Sequence, residues 1–356
     1  MTLKSILFAI PGDLQSLTGG YGYDRRLMEA FTDKGVHVEY IRLGDGFPLP
    51  QPQEVDEAIA RILEAHTGHQ SAPLLMDGLF FSALTPDRIA QLPRPCIALV
   101  HHPLGLEAGL DAGVAAHLIA QERTALALCD HIIVTSATTA DTLIADFGVA
   151  PEKITVAEPG TDMAARAHGS GRADGNLRLM AAGSVVPRKG YEVLVAAMSH
   201  LRALPWHLDI TGSLTRAPET AAALRAQIDA LHLAERIQLC GELAPGALNA
   251  EYDKTDIFVM SSHYEGYGMV IAEAMAHGLA IVSTDGGALA RTLPDGAGLK
   301  VPAGDAKGLA DALGRVIEDK SLRARLGDGA FAAAQNLPRW PQIGERVLAA
   351  LASVQP

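Results

Sequence analysis

Cysteine is scarce in this chain. Cys96, Cys129 and Cys240 stand far apart, and no Cys-x-x-Cys pair occurs. That excludes a disulfide framework and points to reduced thiols in a cytoplasmic compartment. Long apolar runs are missing too, and none approaches the roughly 20 residues of a membrane span. The opening stretch Met-Thr-Leu-Lys-Ser-Ile-Leu-Phe-Ala-Ile meets Pro11-Gly12 too soon to house a signal peptide's core and cleavage site. It reads as a first strand. There is no basic excess: the formal net charge is −12, which argues against a general nucleic-acid binder. The same acidity weakens docking on an anionic membrane, although a local basic patch at the inner face of a membrane is compatible with an acidic total.

What the chain does have is apolar substance in short pieces. Hydrophobic residues make up 48% and charged residues 20% of 356 positions, enough for a sizeable core and for two domains. Strand-like and helix-like segments alternate. Strands are predicted at Ser5–Ile10, Val36–Ile41, Pro73–Met76, Cys96–Val100, His131–Val134 and Ile154–Val156. Helices are predicted at Tyr23–Lys34, Glu54–Ala65, Ala112–Leu128 and Thr138–Phe147. The pattern breaks at Gly160–Asn176, a polar, glycine-rich, aperiodic stretch that suits a linker. It restarts with strands at Leu177–Ala182, His207–Thr211, Ile237–Leu239, Ile257–Met260, Leu279–Ser283 and Gly298–Val301, and a clear helix at Ala306–Glu318. Short apolar strands between amphipathic helices imply parallel sheets covered on both faces. The expected architecture is α/β, two doubly wound domains in tandem. Ligands of open α/β sheets bind beyond the carboxyl ends of the strands, so the default site is a cleft between two such domains.

The most informative segment is Glu265-Gly-Tyr-Gly-Met-Val-Ile-Ala-Glu273, directly after the strand Ile257–Met260. Gly266 and Gly268 let the backbone approach a ligand closely. A helix starting near Gly268 offers free N–H groups and a partial positive charge, which suits a phosphate. Glu265 then lies on the loop, and Glu273 one to two turns into the helix, roughly 7 Å along its axis. Two acids beside a phosphate site suggest a ligand both phosphorylated and rich in hydroxyls, such as a nucleotide sugar.

Ser261-Ser262-His263-Tyr264-Glu265-Gly266-Tyr267-Gly268, followed by Ile271-Ala272-Glu273-Ala274-Met275-Ala276-His277-Gly278, resembles the E-x7-E motif of retaining GT-B glycosyltransferases, family 4 above all. The resemblance implies two Rossmann-like domains facing a central cleft, with a C-terminal helix crossing back to the first. Residues 1–162 plus 338–356 would form the acceptor-side domain, 163–176 a linker, and 177–337 the donor-binding domain. It also implies that Glu265 binds the donor sugar's hydroxyls and Glu273 the ribose hydroxyls. The N–H groups of Tyr267, Gly268, Met269 and Val270 would lie near the diphosphate or the sugar.

Other segments fit this frame. Ala182-Gly183-Ser184-Val185-Val186-Pro187-Arg188-Lys189-Gly190 follows the first strand of the second half and opens a helix. Cations oppose the dipole at a helix N-terminus, so a ligand is the better reason for Arg188 and Lys189. The pair looks like the family's phosphate-binding Arg/Lys set. The family often has Arg directly after this glycine; Ser184 stands there, and Arg188 would take its place. Thr18-Gly19-Gly20-Tyr21-Gly22 departs from the dinucleotide fingerprint and by itself reads as a flexible turn. It resembles the family's first-domain glycine loop, matched at Gly19 and Gly20. Val100-His101-His102-Pro103 ends a buried strand. Adjacent side chains on an extended chain point to opposite faces, and two histidines fall short of a metal site. His101 matches the family's histidine that contacts the donor sugar. Glu158-Pro159-Gly160-Thr161-Asp162, Asp285-Gly286-Gly287 and Pro338-Arg339-Trp340 match further family segments, with Ala290 where a glutamate is frequent.

The resemblance implies transfer of a hexosyl unit from a UDP-, GDP- or ADP-sugar to an acceptor hydroxyl, with retention and by a front-face route. The leaving phosphate takes the acceptor's proton while Lys189 and Arg188 stabilise it. No cofactor and no metal are expected, and no Asp-x-Asp occurs. The rival readings are a GT-B phosphorylase, a sugar-nucleotide epimerase and a non-enzymatic sugar-nucleotide binder. The acceptor, whether glycan, glycolipid or small molecule, is left open, and Tyr21 to Arg26 and the His102–Gly109 loop are expected to shape its site.

Overall fold

The computed structural model of the chain describes residues 3–171 and 175–354. It divides into two compact units, Met1–Gly160 with Pro338–Pro356, and Thr161–Leu337. In the first unit the chain runs β1 (Ser5–Pro11), α1 (Gly19–Asp33), β2 (His37–Leu43), α2 (Pro52–Gly68), β3 (Leu74–Asp77), the single turns α3 (Gly78–Phe81) and α4 (Pro86–Ile89), and β4 (Cys96–Val100). There follow α5 (Ala112–Leu128), β5 (His131–Val134), α6 (Ala137–Phe147) and β6 (Ile154–Val156). The second unit runs β7 (Leu177–Ala182), α7 (Tyr191–Ser199), β8 (Trp206–Thr211), α8 (Pro218–Ala230), β9 (Ile237–Gly241), α9 (Pro245–Asp253) and β10 (Ile257–Met260). It continues with α10 (Met269–Ala276), β11 (Ala280–Thr284), the turn α11 (Leu289–Thr292), β12 (Gly298–Val301), α12 (Ala306–Glu318) and α13 (Lys320–Ala334). Last comes α14 (Trp340–Ser353), which belongs to the first unit.

Both sheets have six strands, paired parallel throughout. Their orders differ. The first is β2-β1-β3-β4-β5-β6, and the second is β12-β11-β10-β7-β8-β9. Each has one switch point, where the strand order reverses. It lies between β1 and β3 in the first sheet and between β7 and β10 in the second. Such points, at the carboxyl ends of strands, are where α/β sheets take ligands.

The cores explain why these segments are strands. Leu7, Leu74, Ala98 and Ile132 on neighbouring strands are fully buried, as are Leu179, Leu208, Ile257 and Phe258. A strand with helices on both faces hides every side chain, so its sequence is continuously apolar rather than alternating. Each large aliphatic or aromatic side chain withdrawn this way contributes roughly 1.5–3 kcal/mol. α14 packs on α1 within the first unit: Gly344 faces Ala30, and the Trp340 ring meets Tyr23 edge-on at 5.5 Å with the Arg26 guanidinium 5.3 Å above it.

Two expectations are corrected. The glycines at 19, 20 and 22 are not a flexible turn. They form the first turn of α1, and the Thr18 side chain caps it by accepting from Tyr21 N–H at 3.3 Å. The cap outweighs the low helix propensity of glycine. The segment 163–176 is not a free linker over its described residues. Ala167 N–H donates to His277 O, Gly169 N–H to Asp253 O, and Ser170 N–H to Asp256, all within the second unit. Residues 172–174 of that segment lie outside the described residues.

Candidate active site

The second unit's switch point gathers the motif residues. β7 leads through Gly183 to a 3-10 turn, Pro187–Lys189, and β10 leads through Ser261 and Ser262 to Glu265. Hydrogen bonds to main-chain carbonyls fix one exit against the other. His263 N–H donates to Arg188 O at 2.8 Å, and the Ser261 hydroxyl donates to Lys189 O at 2.9 Å. Gly190 closes this junction. Its φ is +61°, and a Cβ there would lie 2.3 Å from Ser261 O, so only glycine fits. On the other side, Glu265 N–H donates to Gly286 O and Ala288 N–H to Glu265 O, with a bridge between Glu265 and Gly287. The Asp285-Gly286-Gly287 loop thus acts as a rail for the Glu265 backbone.

The side chains then converge. Lys189 Nζ lies 2.7 Å from Glu265 Oε1 and Arg188 Nη1 lies 2.9 Å from Oε2. The Ser262 hydroxyl donates to Oε1 at 2.7 Å, and Arg188 also donates to Tyr264 O at 2.9 Å. Glu265 is 7% exposed. Burial would raise its pKa, but the Lys189 and Arg188 charges, with hydrogen bonds from Lys189 and Ser262, hold it down at about 2. Two cations thus flank one carboxylate in the loop that leads to the start of α10, whose cap is Gly268. The first N–H groups of any α-helix lack partners within it.

Glu273, inside α10, sits in a different setting. The buried Tyr252 hydroxyl donates to its Oε2 at 2.9 Å, and the Tyr252 ring stacks on His277 at 5.0 Å. Burial raises the Glu273 pKa, the Tyr252 bond opposes that, and nearby Asp162 adds to the rise.

The first unit's switch point carries the opposite charge pattern. His101 leaves β4, Asp77 ends β3, and Asp24 lies in α1. His101 Nε2 is 3.3 Å from Asp24 Oδ1 and 3.5 Å from Asp77 Oδ2. Gly20 lies against the imidazole: a Cβ there would be 3.4 Å from His101 Cδ2. Asp24 is fully buried. Burial on its own would lower the His101 pKa, but the two carboxylates lift it well above the ordinary histidine range. His102, in the bend just beyond β4, pairs instead with Glu107, 2.9 Å distant.

The chain matches the glycosyl transferases group 1 over residues 167–332 and glycosyltransferase family 4 over residues 77–165. It is 27% identical over 320 residues to an MMP alpha-(1->4)-mannosyltransferase of Mycolicibacterium hassiacum, taking in 85% of this chain and 75% of that one. It is 30% identical over 245 residues to a D-inositol 3-phosphate glycosyltransferase of Nocardia farcinica, over 64% of this chain and 53% of that one. Sucrose-phosphate synthase from Thermosynechococcus elongatus superposes with a TM-score of 0.79 at 21% identity, covering 96% and 97% of the two chains. HepE of Anabaena, solved with UDP and glucose, gives 0.75 at 16% identity over 97% and 99%. At these identities the two solved structures speak for the fold, which is GT-B.

The chain belongs to the group 1, family 4 glycosyltransferases.

Of the residues singled out in this glycosyltransferase's sequence, Glu265, Lys189 and Arg188 meet in one cluster, and Glu273 lies one helix turn or more beyond it. Tyr267, Gly268, Met269 and Val270 form the cap and first residues of α10, with Tyr267 largely buried. Gly19, Gly20 and His101 belong to the first unit. Four participants escaped the sequence: Asp24, Asp77, Ser262 and Tyr252. Asp77 had a usable signal, a lone acid ending the buried strand Leu-Leu-Met-Asp. Ser262 lay inside the motif segment. Asp24 and Tyr252 sit in helices whose docking alone brings them into place.

Proposed function

We propose that this glycosyltransferase moves a hexosyl unit from a nucleoside-diphosphate sugar to an acceptor hydroxyl with retention at the anomeric carbon. One observation carries the reading: Lys189 and Arg188 converge on the buried Glu265 beside the helix start at Gly268. Such an arrangement sets two cations for a diphosphate beside a carboxylate for sugar hydroxyls. Glu273 accepts hydrogen bonds from the ribose hydroxyls, and His101 keeps the sugar contact that the family resemblance gives it. The acceptor oxygen attacks the anomeric carbon as the bond to the β-phosphate oxygen breaks. The acceptor's proton passes to the departing phosphate, and the nucleoside diphosphate leaves. Lys189 and Arg188 stabilise the charge that develops on it.

Glu265 and Glu273 do not form an acid–base couple in this scheme. Glu265, held at about 2, is a carboxylate at any working pH and serves as an acceptor of hydrogen bonds. The reaction needs no metal, and three free thiols agree with a cytoplasmic location. Relatives and neighbours named for mannosyl, inositol-phosphate and sucrose-phosphate chemistry, and complexes with UDP and UDP-glucose, favour a polyhydroxylated acceptor and a sugar-nucleotide donor. The test is a panel of UDP-, GDP- and ADP-sugars scored for hydrolysis and for thermal shift, with the product's anomeric configuration read by NMR in the presence of a chelator. One donor should be hydrolysed and should stabilise the protein. An inverted product, or a panel with no response, overturns the reading.

A further inference from the structure

Among the described residues, two groups bring three metal-ligating atoms within 4.8 Å of one another. The Asp24–Asp77–His101 group is the cluster already described at the first unit's own switch point. Its two carboxylates are buried and already face the His101 imidazole. The second group lies elsewhere in the first unit and takes no part in the proposed reaction. It consists of His37, Glu39 and His69.

His37 and Glu39 are two apart on β2, so their side chains leave the same face of the strand. β2 is an edge strand, paired to β1 alone. His69 is the C-cap residue of α2, the helix that follows β2 and returns beside it. Both Nε2 atoms turn to the same carboxylate oxygen: His37 Nε2 is 3.4 Å and His69 Nε2 3.7 Å from Glu39 Oε2. The two rings stack with centroids 5.3 Å apart and planes at 23°. With metal–ligand bonds of about 2.0–2.1 Å, two ligand atoms on a tetrahedral ion lie about 3.3 Å apart. The nitrogen–oxygen spacings are close to that edge. The side chains are 59%, 40% and 28% exposed, so water has access to the remaining coordination positions. An exposed ion pair in water contributes little to stability, which makes folding energy a poor reason for two imidazoles to share one oxygen.

We propose that His37, Glu39 and His69 bind one divalent transition-metal ion, completed by water and tying the end of α2 to the edge strand β2. Two imidazole nitrogens and one carboxylate select ions of the zinc, nickel, copper and cobalt type over magnesium and calcium. The site is separate from catalysis, which proceeds without metal in the scheme above.

The test is calorimetric titration of the metal-free full chain with Zn²⁺, repeated with Co²⁺ followed by its visible absorption. Wild type should bind one ion per chain and gain thermal stability on binding. Loss of a ligand should cost at least the roughly 10–100-fold that changes behind the ligands cost. His37→Ala and His69→Ala should each weaken binding by that much, and the double variant should lose it together with the zinc-dependent rise in Tm. Circular dichroism of the metal-free variants checks the fold, and His69→Gln alone serves should the double variant lose it. Absence of saturable binding in wild type overturns the site, as does undiminished one-to-one binding in the variants. Turnover in chelator is scored in parallel and reports on the catalytic scheme alone.

Discussion

At the second sheet's switch point one carboxylate, Glu265, lies between two cations. At the first sheet's switch point one imidazole, His101, lies between two carboxylates. The two places are equivalent in topology, each fed by loops at the carboxyl ends of the strands where the order reverses. Their charge balance is opposite. The first cluster sets two acids around one base, and the second sets two cations around one acid. A pair of cations around one acid suits a phosphate, and a pair of acids around one base suits hydroxyl donors. The difference shows that the fold supplies the location twice while side chains decide what each location holds.

The sharpest way to break the contrast is Glu265→Ala. Transfer should fall by about 10³-fold or more, while inorganic pyrophosphate should bind tighter than to wild type, because Lys189 and Arg188 lose their internal anion. Steady-state kinetics and calorimetry on the same variant check both halves; unchanged turnover would sink the assignment. Next comes Lys189→Ala, which leaves Arg188 as the one cation of the cluster on Glu265. Turnover should drop by about 10²–10³-fold. Its effect on acid stability follows from the Glu265 pKa. Held at about 2 against an ordinary 4.5, Glu265 contributes stability that is complete above the ordinary value and is lost as the pH falls from there toward 2. The variant should lose much of that acid-side dependence, read from unfolding midpoints across pH 2–5.

The first cluster is tested by Asp24→Asn, a near-isosteric change. His101 has a raised pKa, so its contribution to stability is present below the ordinary histidine range and fades as the pH rises through the folded value. Removing one carboxylate should lower the His101 pKa by about one unit or more, measured by NMR titration of the ring, with a matching shift in the alkaline side of the activity profile. An unmoved titration would show that Asp24 does not govern His101. The smallest effect is expected from Tyr252→Phe. It removes one hydrogen bond to Glu273 and no apolar volume. KM for the donor should rise by about 3–10-fold with kcat little changed, an effect the size of one ordinary net hydrogen bond.

The fold was largely legible because parallel strands buried on both faces announce themselves as short apolar runs. Cys96–Val100, His131–Val134, Ile154–Val156, Leu177–Ala182, Ile257–Met260 and Gly298–Val301 coincide with observed strands, residue for residue. The start of α1 is hard to see in the sequence because three glycines mask the Thr18 cap. The supposed linker looked free because its partners, His277, Asp253 and Asp256, lie some 80 to 110 residues on, and local composition carries no trace of them.

For the site, the sequence by itself determined the chemistry of the loops: the acids at 265 and 273, the cations at 188 and 189, the histidine ending β4, and the glycines that let backbone come close. These are local facts, set by residue type and by position after a strand. Tertiary structure decided the partnerships. It joined Glu265 to Lys189 and Arg188 from the far side of the intervening elements α7 to β10, gave His101 two carboxylates, and set Tyr252 on Glu273. Strand order and helix docking choose which loop ends meet, and a charge acquires its pKa from what it meets.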